Sequence, residues 1–331
     1  MSDPSGGRGG HTVVVLSYRG REDTLRCVAS VLAGSRARVL VVDNGSHDGV
    51  LAEAAARWPQ VATLQTGTNL GFAGGMNAGL RRALDDGAAV VTVLNNDTVV
   101  DAGALDRLAH RAAGARAAIS PEIRYLHDPD RVWFAGARLD PHDGLPRHLD
   151  AREATARRGR TDAGDAPYRV DLLAGCCVTA GRDVWESVGG FDERYFLDFE
   201  DSDWSVRARR AGVALEVDPG AIVRHAVSAS FVGAYSYLGL YYYARNALLF
   251  ARTSGRHPRR PRHAVQVARL LRHRLLPVPV RVARDSGPRT GLRHGVVLAA
   301  ALGANAARRY GRAPARLERL ADRWVKTPPA G

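Results

Sequence analysis

The sequence predicts an α/β protein: a Rossmann-like, mostly parallel sheet flanked by helices, with a basic helical extension at its C-terminal end. Two observations carry this. Short β-branched runs alternate with helix-spaced stretches through the first 120 residues, and the positive charge collects in the last quarter. A chain of 331 residues can bury one sizeable α/β core and carry an appendage. Its 47 Lys and Arg against 34 Asp and Glu give a formal charge of +13, but residues 255–331 hold 18 of the basic and only 3 of the acidic side chains. A cationic tail on a near-neutral body suits an anionic membrane surface. Zinc-finger spacing, aromatic RNA-binding signatures and a helix-turn-helix are all missing, so nucleic acid is not expected as a partner.

Residues 1–11 are polar and Gly-rich and read as a disordered tail. Thr12 to Ser17 is a β-branched strand, with Tyr18, Arg19 and Gly20 as its turn. Leu25, Val28, Ala29 and Leu32 then recur at helical spacing between Glu22 and Ala33, with Gly34 as a stop. Arg38 to Val42 is a second buried strand ending in Asp43-Asn44-Gly45-Ser46. Strand, helix and strand in about 30 residues form a βαβ unit, which closes right-handed with parallel strands. A helix over Val50 to Arg57 and a strand over Val61 to Gln65 repeat the pattern.

The stretch Asn69 to Gly79 reads as a loop whose glycines allow close backbone approach to a bulky ligand, with a helix to about Asp85 growing from it. Ala88 to Leu94 is the next buried strand, and it stops abruptly at Asn95-Asn96-Asp97. At the carboxyl end of a parallel strand such a group faces the ligand crevice, and its oxygens suit a hard divalent cation. Asp97, helped by Asn95, is thus a candidate to hold a metal against the diphosphate of an activated sugar. A plain strand-to-turn junction would use the same residue types.

A helix from about Ala102 to Ala113 follows. From Pro121 to Tyr168 the periodicity fades into an irregular insertion, a candidate lid, with Val132 to Ala135 as a short strand. Regular structure is expected to resume over Val170 to Thr179, with a helix around Asp183 to Val188. Phe191 to Trp204 then packs acidic side chains among aromatics, which points to carboxylates in a partly buried cleft. A short strand over Ala214 to Val217 and a strand end at His225 come next, then a helix over Tyr235 to Arg252 whose apolar stripe reads mainly as core. The tail reads as basic amphipathic helix, placed equally well on a membrane interface or against the main domain.

Cys27, Cys176 and Cys177 make neither a disulfide framework nor a metal quartet, which suggests a reducing compartment. With no signal-peptide core and no run of about 20 apolar residues, a cytoplasmic location is expected, at most peripheral on the inner membrane face.

Taken in order, Ser17-Tyr18-Arg19, Val41 to Ser46, Asn69-x-Gly71-Phe72-Ala73-Gly74-Gly75-x-Asn77-x-Gly79, Leu94 to Thr98, Gly189 to Glu193, Phe199 to Asp203 and His225 resemble the motifs of glycosyltransferase family 2, of the GT-A fold and its rhamnosyltransferase-like branch. The resemblance spans residues 12–254, divided into a nucleotide-binding half (12–120) and an acceptor or catalytic half (121–254), with 255–331 as the basic tail. It implies an inverting transfer from a dTDP- or UDP-linked sugar to a hydroxyl acceptor, on a lipid-linked saccharide or polysaccharide precursor, or alternatively on a soluble secondary metabolite.

The same resemblance implies roles. Asp43 would accept the imide N–H of uracil or thymine. Ser17, Tyr18, Arg19 and Glu22 would border base or ribose, and Asn69, Gly71, Phe72, Gly74, Gly75, Asn77, Asn95 and Asn96 the diphosphate and sugar. Asn95, Asp97 and His225 would hold Mg²⁺ or Mn²⁺, with Asn95 a neutral ligand where the usual Asp-x-Asp has a carboxylate. Asp201 would be the general base. Glu200, Asp203 and Trp204 would meet the acceptor, and Arg207 would pair with a carboxylate or phosphate.

Two rivals are weaker. A dinucleotide oxidoreductase needs Gly-x-Gly-x-x-Gly after the first strand, where this chain has Ser17-Tyr18-Arg19-Gly20-Arg21-Glu22. A catalytically silent adaptor for sugar nucleotides or nucleic acid has no use for Asp97, Glu200, Asp201 and His225 together.

Overall fold

A computed structural model of the chain describes residues 10–158, 166–227, 236–253 and 261–326. These fall into two compact units, one of residues up to 139, 146–192 and 200–227, the other of residues 140–145, 193–199 and from 236 onward. Most of the expected N-terminal tail lies outside the described residues, but His11 already belongs to the first strand.

The first unit opens with β1 (His11–Ser17), α1 (Arg21–Gly34), β2 (Arg38–Asp43), α2 (Val50–Arg57), β3 (Ala62–Gln65), α3 (Gly71–Asp85) and β4 (Val90–Asn95). β1, β2, β3 and β4 lie parallel, as the repeated βαβ pattern requires. Helices cover both sheet faces, so the strands are apolar throughout: Val13, Val14, Val15, Val41 and Val42 are all fully buried. Each contributes roughly 1.5–3 kcal/mol by leaving water.

α3 departs from expectation. The glycines expected in a ligand-facing loop lie inside the helix. A Cβ on Gly79 would stand 2.3 Å from Val14 Cγ1 and 2.8 Å from Val42 Cγ2, and one on Gly75 would stand 2.7 Å from Leu16 Cδ1. Their missing side chains let α3 settle directly on β1 and β2. Gly74 is likewise buried within the helix.

Next come β5 (Thr98–Val100), α4 (Ala104–Ala112), β6 (Ala117–Tyr125), β7 (Val132–Phe134), β8 (Ala137–Leu139), β9 (Pro146–His148), α5 (Ala151–Arg158), β10 (Tyr168–Arg169), β11 (Cys177–Gly181), α6 (Arg182–Val188), α7 (Glu200–Arg210) and β12 (Ala214–His225). The sheet order is β10-β12-β6-β11-β4-β1-β2-β3, with β5 on β12 and β7 on β6. Six of these eight strands point one way; β11 and β10 run against them.

Sequence periodicity missed β5 and β6, and of the regular structure expected from Val170 onward the strand β11 begins at Cys177. The periodicity also split β12 in two. The cause of that split is visible: the register slips between Asp218 and Ile222, around Pro219-Gly220, and the strand then continues to His225.

In the second unit, α8 (Tyr237–Thr253) precedes α9 (Pro261–Arg269), a π-helical turn over Leu270–Leu275, α10 (Val278–Ser286), α11 (Pro288–Ala306) and α12 (Ala315–Lys326). Arg245 of α8 is fully buried and donates to Gly311 O at 2.6 Å, Tyr195 O at 2.9 Å and Asn246 Oδ1 at 2.9 Å. Burial pushes its guanidinium pKa down, opposed by the neighbouring Tyr241. Asn246 Nδ2 donates to Tyr195 O at 2.8 Å and Leu197 O at 2.6 Å. These donors hold a stretch in which Phe196, Asp198 and Phe199 all take positive φ, a conformation that costs about 1–2 kcal/mol per residue outside glycine.

Candidate active site

The site is built at the strand ends of the first unit. After β4 the chain turns through Asn96 and Asp97 into β5, which pairs antiparallel with β12 so that Thr98 lies opposite His225. This register brings His225 Nε2 to 3.0 Å from Asp97 Oδ1. Asp97 is 9% exposed and His225 7%. The Ala226 N–H donates to Asp97 O at 2.9 Å and the Leu126 N–H to His225 O at 2.8 Å, so main-chain bonds fix both residues.

Asn95 Oδ1 and His225 Nδ1 are buried and have no hydrogen-bond partner among the described residues. A buried, unsatisfied amide oxygen costs about 1–3 kcal/mol unless something binds it. Asn95 Oδ1, Asp97 Oδ1 and the His225 imidazole are a donor set suited to a divalent cation. With one amide among the three, no group of three His, Cys, Asp or Glu side chains that could hold a metal occurs among the described residues.

Asp201 reaches the same place through the two residues just before β11. Its Oδ2 accepts the Gly175 N–H at 2.9 Å, and the next carbonyl, Cys176 O, accepts the Asn95 N–H at 2.9 Å. Two consecutive residues thus tie Asp201 to the end of β4. The Cys176 thiol feels this: burial first, then Cys177, Asp97 and Asp201, push its pKa well up. All three cysteines are buried free thiols. Asp201 is half-buried, and its Oδ1 accepts from Ser202 N and Oγ. A Cβ on Gly175 would come within 3.2 Å of Asp201 Cβ and 3.4 Å of the Phe72 ring, so Phe72 borders this corner too.

Two residues of the insertion also arrive here, unassigned by sequence. The Trp133 ring of β7 meets His225 edge-on at 4.8 Å and His148 of β9 at 5.2 Å. His148 Nδ1 faces Trp133 O at 3.2 Å. Burial lowers the His148 pKa, while the Trp133 carbonyl and the Asp201 charge pull it back up. The usable signal was one tryptophan in a short apolar run between polar stretches, on a strand that sequence did predict.

The donor-side residues divide. Asp43, at the end of β2, has both carboxylate oxygens engaged: Oδ1 accepts from Ser46 N at 2.9 Å and from Ser46 Oγ, Oδ2 from His47 N at 3.1 Å and Gln65 Nε2 at 2.8 Å. Burial would raise its pKa, but these bonds outweigh it and hold the carboxyl below its usual value. A base's imide must therefore compete with Ser46 or Gln65 for a lone pair. Ser17 is fully buried and accepts from Thr24 Oγ1 at 2.8 Å. Tyr18 is 38% exposed, with the Arg19 guanidinium 5.1 Å from its ring. Asn44, which sequence left out of the site, donates to Gly71 O at 2.9 Å and accepts from Leu70 N at 3.0 Å, while Asn69 Oδ1 accepts from Gly71 N at 2.8 Å. Asn44 thus pins the entry to α3.

Several expected ligand contacts are structural instead. Asn96 Nδ2 donates to Thr24 Oγ1 at 2.9 Å and braces α1. Asn77 exchanges two 2.8 Å bonds with the Phe191 main chain, so it is consumed within the fold. Glu22 is exposed and lines a groove with Arg21, Glu53 and Trp58 on the α1 and α2 surface. Trp204 is 1% exposed, donates to Gly189 O at 2.8 Å and packs on Trp185 at 4.8 Å, so it is core and not an acceptor platform. Asp203 accepts from Arg207 Nε at 2.9 Å, and Arg207 also donates to Val188 O and Gly190 O. That pair fastens the turn before Phe191. Glu200, 6% exposed, opens α7 beside Asp201.

A parallel sheet with one inserted antiparallel strand, and an acid and imidazole group at its strand ends, defines the GT-A class of glycosyltransferase fold. One solved structure, GalNAc-T7 with UDP, GalNAc and Mn²⁺, superposes with a TM-score of 0.57 at 17% identity, covering 78% of this chain and 53% of that one. Against that structure, this chain spans about half its length. The mannosyltransferase PcManGT from Pyrobaculum calidifontis, in complex with GDP-Man and Mn²⁺, superposes at 0.53 and 17% identity, covering 97% of this chain and 80% of that one. In sequence, residues 9–238 match the model of the glycosyltransferase like family 2, and the chain belongs to that family.

Among its relatives, the N-acetylglucosaminyl-diphospho-decaprenol L-rhamnosyltransferase of Mycobacterium tuberculosis is 34% identical over 234 residues, 64% of this chain and 75% of that protein. The dTDP-rhamnosyl transferase RfbF of Shigella flexneri is 24% identical over 246 residues, 72% and 79% of the two chains.

Proposed function

We propose that this protein transfers a hexose, rhamnose from a dTDP-linked donor in the first instance or a hexose from a UDP-linked one, to a hydroxyl of a lipid-linked saccharide, with inversion at the anomeric carbon. The observation that carries the proposal is the junction of Asp201 with Asn95 through Gly175 and Cys176, next to the Asp97 and His225 pair. A base and a cation site side by side are what a single displacement on a sugar nucleotide requires. The rhamnosyltransferase relatives support the donor, and the diphospho-decaprenol in one relative's name supports a lipid-linked acceptor.

Asp97, His225 and Asn95 are the residues that would hold Mg²⁺ or Mn²⁺. The cation, when bound, supplies positive charge to the departing nucleoside diphosphate. The Asp201 carboxylate takes the proton of the acceptor hydroxyl as that oxygen bonds to the anomeric carbon and the bond from that carbon to the diphosphate oxygen breaks. Gly175 N–H orients Asp201 Oδ2, and Ser202 orients Oδ1, so the base is held in one rotamer before substrate arrives. Trp133 and His148 wall the acceptor side, where an indole face suits the C–H face of a sugar ring.

The second unit offers an anionic membrane surface something to hold: Val265, Leu276, Val280, Leu292, Val296 and Val325 are exposed among many arginines. No helix among the described residues is long and apolar enough to cross a membrane.

The deciding experiment measures nucleoside diphosphate release from a panel of dTDP-, UDP- and GDP-sugars, with lipid-linked and water-soluble acceptors, with and without EDTA. Acceptor-dependent release from a dTDP- or UDP-sugar, abolished by EDTA and restored by Mg²⁺ or Mn²⁺, is expected. Turnover only with GDP-sugars, or turnover indifferent to EDTA, would overturn the donor or the metal assignment respectively.

A further inference from the structure

The helices of the second unit enclose a concavity of about 370 Å³ that the transfer reaction does not use. Its floor is apolar, with Tyr241 of α8, Ala304 of α11, and Leu317 and Leu320 of α12 among its walls. Its rim is cationic, carrying Arg309, Arg312 and Arg316. Arg312 is already engaged in a two-pronged pair with Glu318, at 2.9 and 3.1 Å. Arg309 and Arg316 are exposed, and neither has an acidic partner among the described residues. The concavity therefore joins an apolar floor to two uncommitted guanidinium groups.

We propose that this concavity binds a phosphorylated lipid, with the phosphate on Arg309 and Arg316 and the first part of the hydrocarbon chain on the apolar floor. Guanidinium forks match phosphate oxygens in geometry as well as charge. The volume is at the scale of a small-molecule site. A protein partner would need a far broader face, about 800 Å² on each side. The exposed aliphatic side chains of the same unit, Leu292 and Val325 foremost at 72% and 70% exposed, suit a molecule that works against a lipid surface. The inference rests on the membrane-facing part of the proposed function and is independent of the transfer chemistry.

The test is isothermal titration of the full chain with decyl phosphate below its micellar concentration. Inorganic phosphate, decanol and a glutamate-rich decapeptide serve as comparators. Decyl phosphate is expected to bind at least tenfold more tightly than any comparator. The double variant Arg309→Gln, Arg316→Gln should lose at least tenfold for decyl phosphate, as should Ala304→Leu, which fills the floor. Unchanged affinity in both variants overturns the site. So does decanol binding as tightly as decyl phosphate, which marks a plain apolar groove. Equal binding of inorganic phosphate or of the peptide marks a surface cation patch and overturns it as well. Transfer to a water-soluble acceptor should stay at the unmodified level in both variants, so failure of the lipid site and failure of the transferase assignment are read separately.

Discussion

His225 Nε2 stands 3.0 Å from Asp97 Oδ1 because Thr98 and His225 are register partners where β5 runs against β12. Side chains so far apart in sequence meet through main-chain pairing. Removing either donor should therefore change cation affinity while the β5–β12 register stays in place. Asp97→Asn and His225→Ala are expected to weaken the Mn²⁺ activation midpoint at least tenfold. Asn95→Asp, which adds a carboxylate, should tighten it. A Mn²⁺ titration that ignores all three changes would remove the cation from this site.

Asp201→Asn keeps the shape and hydrogen bonds of the side chain but cannot take a proton. Turnover should fall by about 10²–10⁴-fold while donor affinity stays within about twofold. Steady-state kinetics together with direct donor titration separate the two. Near-normal turnover would assign the base elsewhere.

Trp133 and His148 should show in acceptor parameters alone. Trp133→Ala is expected to raise the acceptor KM roughly tenfold and leave the donor KM in place, consistent with about 1.4 kcal/mol of lost stacking. An equal rise in both would mean that the indole supports His225 rather than the acceptor.

Gly79→Ala probes the seat of α3. The new methyl would stand 2.3 Å from Val14 Cγ1 and 2.8 Å from Val42 Cγ2, so those buried side chains or the helix itself must shift. A loss of about 1–3 kcal/mol is expected, visible as a lower urea midpoint at unchanged slope.

His11 gives the acid limb of stability. Burial holds its imidazole pKa down to about 4, against 6.5 when exposed, with Asp106 opposing weakly. As pH falls below 6.5 the unfolded chain takes up the proton first, so stability is full above 6.5 and drains away toward pH 4. The contribution is up to about 3 kcal/mol. Urea unfolding at pH 7 and pH 4.5 should show a smaller difference in His11→Gln than in the unmodified chain.

The first half of the fold was legible because a buried parallel strand leaves an unmistakable run of Val and Leu, and each run here is followed by a helix-spaced stretch. β6 was harder to read: Pro121 interrupts it, yet the strand accommodates proline beside the register shift of β12. Asp97, Asp201 and His225 were legible as polar residues at the ends of apolar runs. Asn77, Trp204 and Asp203 carried the same kind of signal and proved to be internal fasteners. Sequence tells that a polar residue adjoins a core segment, but the hydrogen-bond partner that consumes it, such as Phe191 for Asn77, comes from elsewhere in the chain. Gly75 and Gly79 misled for a related reason. A glycine needed for helix-on-sheet contact and one needed beside a phosphate look identical until the neighbouring side chains are in place.

Two consecutive residues, Gly175 and Cys176, join the anchor of Asp201 to that of the Asn95 main chain. The first carries the N–H that steadies Asp201 and the second the carbonyl that secures Asn95. Because both anchors are main-chain groups of neighbouring residues, a displacement of this segment would move the Asp201 carboxylate and the end of β4 together. A side chain introduced at Gly175 would therefore be felt at both places at once, since a Cβ there would stand 3.2 Å from Asp201 Cβ.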